Sequence, residues 1–229
     1  MKTLDQCLLY AFVDTAYLRG RSPETVTQSL CDGGVDLIQL RAKQSTPAEI
    51  RQIAQAILPI TRNANVGLVI NDYPDIAQEI GAEFCHLGQE DFFDAGYSNV
   101  AQIPAGRVHS PSPGGEGRGK GEHSLLRIGL STHSPAQAQR ALAAEPDYIA
   151  IGPVYATGTK PTAKPVTLDY VRWAAANVRV PWFAIGGINL DTLDDVLTAG
   201  ARRVCVVSAI LNSPDIAAAC RTFKNRLEA

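Results

Sequence analysis

Eight short apolar runs punctuate the chain, at residues 8–13, 35–40, 66–70, 83–87, 126–130, 147–152, 180–185 and 203–207. Most are continuous rather than alternating, the pattern of strands covered on both faces by helices. Between them lie stretches of helical periodicity, and four have a hydroxyl residue followed by proline at their start: Ser22-Pro23, Thr46-Pro47, Ser134-Pro135 and Ser213-Pro214. The hydroxyl can accept an orphan backbone N–H, and proline suits the first helical position because its missing N–H is not needed there. Thr46 with Glu49 makes a capping box. Gly33, Gly81 and Gly200 each close a helical stretch and lead into the next strand.

Repeated strand–helix units imply a parallel sheet. Eight units in 229 residues favour a single-domain α/β fold over residues 1–229, a closed (β/α)₈ TIM barrel, over a doubly wound open sheet. One segment breaks the alternation. Pro104 to Gly121 holds six glycines and three prolines in eighteen residues and almost nothing apolar, so a disordered insertion is expected over about 104–123, between the fourth helix and the fifth strand. In a barrel that connection hangs from the N-terminal face.

Composition narrows the partners. With 45% hydrophobic and 19% charged residues the chain reads as an ordinary globular protein. Lys and Arg number 21 against 23 Asp and Glu, without a basic stripe, so nucleic acid is not an expected partner. The five cysteines are scattered and form no C-x-x-C pair, which suits a reducing compartment. No signal peptide or membrane span is evident, and a cytoplasmic location is expected. A homo-oligomer is compatible with all of this.

Polar residues gather where strands end. Gln39, Arg41 and Lys43 alternate out of the second strand and fall on one side if the strand geometry persists. The third strand ends in Asn71-Asp72, and the fourth is followed by Gly88-Gln89-Glu90-Asp91. Asp72 and Asp91, from neighbouring strands, suit Mg²⁺, which takes one or two carboxylates and completes its shell with water and phosphate oxygens. Each could instead cap the helix that follows it. Ser131-Thr132-His133 follows the fifth strand, and Thr157-Gly158-Thr159-Lys160 offers hydroxyls, backbone N–H groups and an ammonium after the sixth. Ile185-Gly186-Gly187-Ile188 and Val207-Ser208-Ala209-Ile210 lie where barrels usually hold a phosphate. Two anion-binding regions result, one cationic with carboxylates and one neutral and lined by backbone.

This ordered set of motifs closely resembles the thiamine-phosphate synthase family, from the first strand nearly to the end. The resemblance implies transfer of a hydroxymethylpyrimidine unit from its diphosphate to the nitrogen of a thiazole phosphate, with release of pyrophosphate. It implies that Gln39, Leu40, Arg41, Ala42 and Lys43, with Asn71, Ser131 and Lys160, bind the pyrimidine diphosphate. Among these, Arg41, Lys43, Ser131 and Lys160 would act on the leaving diphosphate, and Asp72 and Asp91 would hold Mg²⁺ as cofactor. Thr157, Gly158 and Thr159 would contact the thiazole, and Gly187, Val207 and Ser208 would cradle its phosphate. The glycine-rich insertion departs from the family's pattern, as does Glu83-Phe84-Cys85, where smaller residues are more usual. Two rival readings use the same barrel: a thiazole tautomerase working through a histidine near His133, and a non-enzymatic sensor of thiamine phosphates.

Overall fold

The computed structural model describes residues 2–104, 126–157 and 165–229. Its strands are β1 Leu9–Asp14, β2 Leu37–Arg41, β3 Gly67–Asn71, β4 Phe84–Gly88, β5 Arg127–Thr132, β6 Tyr148–Ile151, β7 Trp182–Ile185 and β8 Val204–Cys205. They pair in parallel and in chain order, and β1 also pairs with β8, Leu9 opposite Val204 and Tyr10 opposite Cys205, which closes the barrel. The described helices are α1 Pro23–Asp32, α2 Pro47–Asn63, α3 Pro74–Ile80, α4 Gln89–Asp94, α5 Pro135–Ala143, α6 Thr167–Asn177, α7 Leu193–Thr198, α8 Ser208–Leu211 and α9 Ile216–Glu228. Among the described residues no helix is long and apolar enough to cross a membrane.

The expected caps form at α1, α2 and α5, where Ser22, Thr46 and Ser134 accept from the backbone N–H of Thr25, Glu49 and Gln137. The last helix departs from expectation. It begins at Ile216 and not at Pro214, because the Asp215 carboxylate takes the cap by accepting from Ala218 N at 2.8 Å. Ser213 Oγ instead accepts from Asp215 N at 3.2 Å and closes a tight turn. Gly33 does end α1, but Gly34 takes the left-handed backbone, with φ +78°. Gly33 serves close packing: a Cβ there would sit 2.4 Å from Cys220 Cβ on α9. β8 is shorter than its apolar run, although Val206 N still donates to Tyr10 O at 2.9 Å and extends the tie to β1.

At the N-terminal mouth an acid begins three of the even-numbered strands and satisfies the strand before it. Asp36 accepts from Leu8 N and Leu9 N, Glu83 from Leu68 N, and Asp147 from Ile128 N, at 2.7 to 3.0 Å. Asp36 also receives the ammonium groups of Lys2 at 2.6 Å and Lys224 at 2.8 Å, so one carboxylate joins the start of the chain, two strands and α9.

The flanks of the glycine-rich segment meet this same mouth. Val100 N donates to Ala144 O ahead of β6, and Arg127 N donates to Glu83 O. The expected disorder of 104–123 falls, beyond Pro104, outside the described residues.

Candidate active site at the C-terminal mouth

Strand alternation decides what faces the barrel axis. On β2, Gln39 and Arg41 face a cleft at the C-terminal mouth, joined by Lys43 just beyond. Leu40 and Ala42, at the intervening positions, are buried in the packing behind and do not line the cleft. Asn71 and Asp72 follow β3 into the cleft, Asp91 comes from α4, and Ser131 from β5. The opposite wall carries Thr157, Gly187, Val207 and Ser208. Gly158, Thr159 and Lys160 lie outside the described residues. Apart from these and from Leu40 and Ala42, the named site residues, carried at or just beyond the ends of seven strands, β2 to β8, share one cleft.

The cations come with their own carboxylates. Arg41 donates to Asp14 at 2.7 Å, and Asp14, with its side chain 1% exposed, also accepts from Ala16 N. Lys43 Nζ reaches Asp72 Oδ2 at 2.5 Å. Asn71 Nδ2 donates to the same oxygen at 2.6 Å. Asp72 does not cap α3. Its backbone is left-handed, with φ +67°, and Tyr73 occupies the cap position without a side-chain bond. Asp91 sits in the first turn of α4 over Gly88, where a Cβ would approach its Oδ2 to 2.6 Å.

These carboxylates fit Mg²⁺. They are hard oxygen donors on adjacent walls, and Gly88 leaves room at one of them. Among the described residues no group of three or more His, Cys, Asp or Glu could hold a metal ion. A two-carboxylate site matches a metal that takes its remaining ligands from water and a diphosphate.

The floor of the cleft and the layer beneath it are aromatic and polar together. Tyr10 and Tyr148 pack against Phe183 at ring separations of 5.3 and 5.7 Å. The Tyr10 hydroxyl donates to Gln39 Oε1 at 2.5 Å, and Gln39 Nε2 donates to Asn71 Oδ1 at 2.5 Å. The two tyrosine hydroxyls are 3.2 Å apart, and His86 Nδ1 lies 3.2 Å from that of Tyr148. Burial pushes both tyrosine hydroxyls far above the usual phenol range, so both stay protonated. His133 also lines the cleft, with Nδ1 bonded to the Gly152 carbonyl.

On the far wall Gly186 and Gly187 have φ of +101° and +67°. A Cβ on either would strike the chain entering from β6, Pro153 Cβ at 2.4 Å in one case and Ala156 O at 2.7 Å in the other. Their bareness first serves this close approach, which Val154 N and Tyr155 N secure by donating to Ile185 O and Gly186 O.

Asp14, Tyr10 and Tyr148 were not singled out from the sequence. Asp14 carries the clearest available signal, a carboxylate ending an otherwise apolar strand.

A family model described as thiamine monophosphate synthase matches residues 9–101 and 120–210, leaving out most of the glycine-rich segment. The chain is 41% identical to a thiamine-phosphate synthase of Thermus thermophilus over 202 residues, covering 88% of this chain and 87% of that protein. It is 34% identical to a thiamine-phosphate synthase of Halalkalibacterium halodurans over 221 residues, covering 96% and 95%. Among solved structures it resembles a thiamine phosphate pyrophosphorylase from Pyrococcus furiosus, with a TM-score of 0.79 and 25% identity, covering 98% of this chain and 97% of that one.

Proposed function

The chain belongs to the thiamine monophosphate synthase family, and from that premise we propose that its cleft joins a pyrimidine carried on a diphosphate to the ring nitrogen of a thiazole phosphate. It is a transferase. The observation that carries the finer reading is the union, in one cleft, of a charged wall of Arg41, Lys43, Asp72 and Asp91 with a neutral wall of Gly187, Val207 and Ser208. The first suits a metal-bound diphosphate and the second a phosphomonoester.

In this reading Arg41 and Lys43 hold diphosphate oxygens, joined by Lys160, while Ser131 donates from the β5 end. Arg41 is oriented by Asp14 before any ligand arrives, so little reorganisation is needed as charge grows on the leaving group. Mg²⁺, held by Asp72 and Asp91, would supply Lewis-acid neutralisation of the departing pyrophosphate. The aminopyrimidine is electron-rich and stabilises the positive charge left on its methylene carbon. The thiazole nitrogen attacks that carbon with its lone pair, so no strong protein base is required. Thr157 and Thr159 orient the acceptor, and Ser208 with the backbone of Gly187 anchors its phosphate. Positioning of this kind lowers the remaining barrier. A tautomerase would have no use for the diphosphate grip, which favours transfer over that alternative.

Incubation with the pyrimidine diphosphate and thiazole phosphate, with and without Mg²⁺, tests the reading. Equal amounts of pyrophosphate and a thiazolium product are expected only with the metal. Absence of both products when all components are present would remove it.

The glycine-rich segment is assigned no part in this chemistry, since its described flanks meet the N-terminal mouth. Deleting His109 to Gly121 is expected to leave kcat within about twofold, as surface connections usually tolerate. Steady-state kinetics of the folded deletion variant check this.

A further inference from the structure

The polar groups at and beneath the floor of the cleft form one line: His86, Tyr148, Tyr10, Gln39, Asn71 and Asp72, each bonded to the next. The last member decides the direction of every bond. A carboxylate only accepts, so Asn71 must turn its NH₂ toward Asp72 and its carbonyl toward Gln39. Gln39 must then give N–H to Asn71 and receive at Oε1. Tyr10 has one proton, which goes to Gln39, so its oxygen accepts from Tyr148. Tyr148 likewise spends its one proton on Tyr10, and its oxygen is left to accept from His86.

We infer that His86 carries a proton on Nδ1, and that Tyr148 is a positioning residue holding the Gln39 and Asn71 amides in a single orientation beneath the ligand. Reversing a link would set two donors or two acceptors face to face where Tyr148, Tyr10 and Gln39 are 0%, 1% and 3% exposed. Such an unmade bond in a buried site is costly. Tyr148 is seated for this role. Its ring fills the space over Gly129, where a Cβ would lie 2.1 Å from Cζ, and it stacks on the His86 ring at 5.6 Å. It does not line the cleft, so its influence on a ligand passes through Tyr10 and Gln39. Both amides commit their carbonyls to the line and keep an N–H for ligand acceptor atoms.

The direction of the bonds stands on the geometry alone, whereas the consequence for the pyrimidine diphosphate rests on the function proposed above. The test separates them. Long-range ¹H–¹⁵N spectra of the full-length protein labelled at histidine, recorded without substrate at pH 8.5, read the state of each ring nitrogen, and His86→Asn assigns the signal. A proton on Nδ1 of His86 is expected in the native protein, and a bare Nδ1 overturns the inference, whatever the fate of the functional reading or of any variant. In Tyr148→Phe the KM for the pyrimidine diphosphate is expected to rise about tenfold, the scale of one buried hydrogen bond, with the KM for thiazole phosphate unchanged. Unaltered KM values, or an equal rise in both, would overturn the positioning role of Tyr148.

Discussion

Replacing Asp72 and Asp91 together by alanine is expected to lower Mg²⁺-dependent pyrophosphate release by about 10³-fold or more, corresponding to roughly 4 kcal/mol of lost transition-state stabilisation. Each single variant should lose less, because the remaining carboxylate, water and the diphosphate still offer oxygen ligands. The Asp72 position needs a control. Its left-handed backbone disfavours alanine, so some loss of stability accompanies that change. Asparagine tolerates this backbone and keeps an oxygen for Lys43 and Asn71, so Asp72→Asn should fold normally yet need far more Mg²⁺ for half-maximal rate. Metal titrations of the rate in these four variants provide the measurement. Undiminished turnover in the double variant would remove both residues from metal binding.

Asp36→Ala is the second large effect, and it acts on stability. The carboxylate, 1% exposed in its side chain, is held by two backbone N–H groups and two ammonium groups at the N-terminal mouth. Among the described residues, its removal leaves the buried Lys224 with a 3.4 Å contact to Glu228 as its remaining ion pair. A loss of about 3–5 kcal/mol is expected, as for other buried pairs broken on one side. Equilibrium urea unfolding measures it, while kcat at low temperature should stay near normal, since the cleft is at the opposite mouth. The dependence on pH has a definite sign. Burial alone would raise the Asp36 pKa, but the Leu9 N–H, the Lys2 and Lys224 ammonium groups and the Leu8 N–H together hold it below the usual carboxylate value. Its contribution is therefore complete above the unfolded value of about 3.9 and disappears as pH falls through the lower folded value. The stability gap between the two proteins should be constant near neutrality and narrow in acid below about pH 4.

The barrel is legible in the sequence because its strands are buried on both faces, and continuous apolar runs separated by capped helices have few other solutions. The start of α9 is not, since Ser213-Pro214 and Asp215 offer competing caps two residues apart, and in the structure the Asp215 carboxylate takes the cap. The cleft is legible at strand ends, where a charged residue such as Arg41 or Asp72 stands out against the apolar run before it. The relay beneath it is hidden for the opposite reason. Tyr10 and Tyr148 sit inside apolar runs and read as core, and only the closing of β1 against β8 and the bareness of Gly129 bring their hydroxyls together. Asp14 shows the same limit: its charge is visible at the end of β1, but its task of aiming Arg41 depends on the β1–β2 register that sets the two residues side by side.

The pairing of Arg41 with Asp14 and of Lys43 with Asp72 has a kinetic corollary. Each of these cations is matched locally by an anion, so the mouth projects little net field into solution from them, and a polyanion gains little guidance before contact. Capture of the diphosphate should then depend on short-range exchange of partners within the cleft. Its association rate should change little between dilute buffer and 0.5 M salt, unlike that of a site built to steer its ligand from a distance.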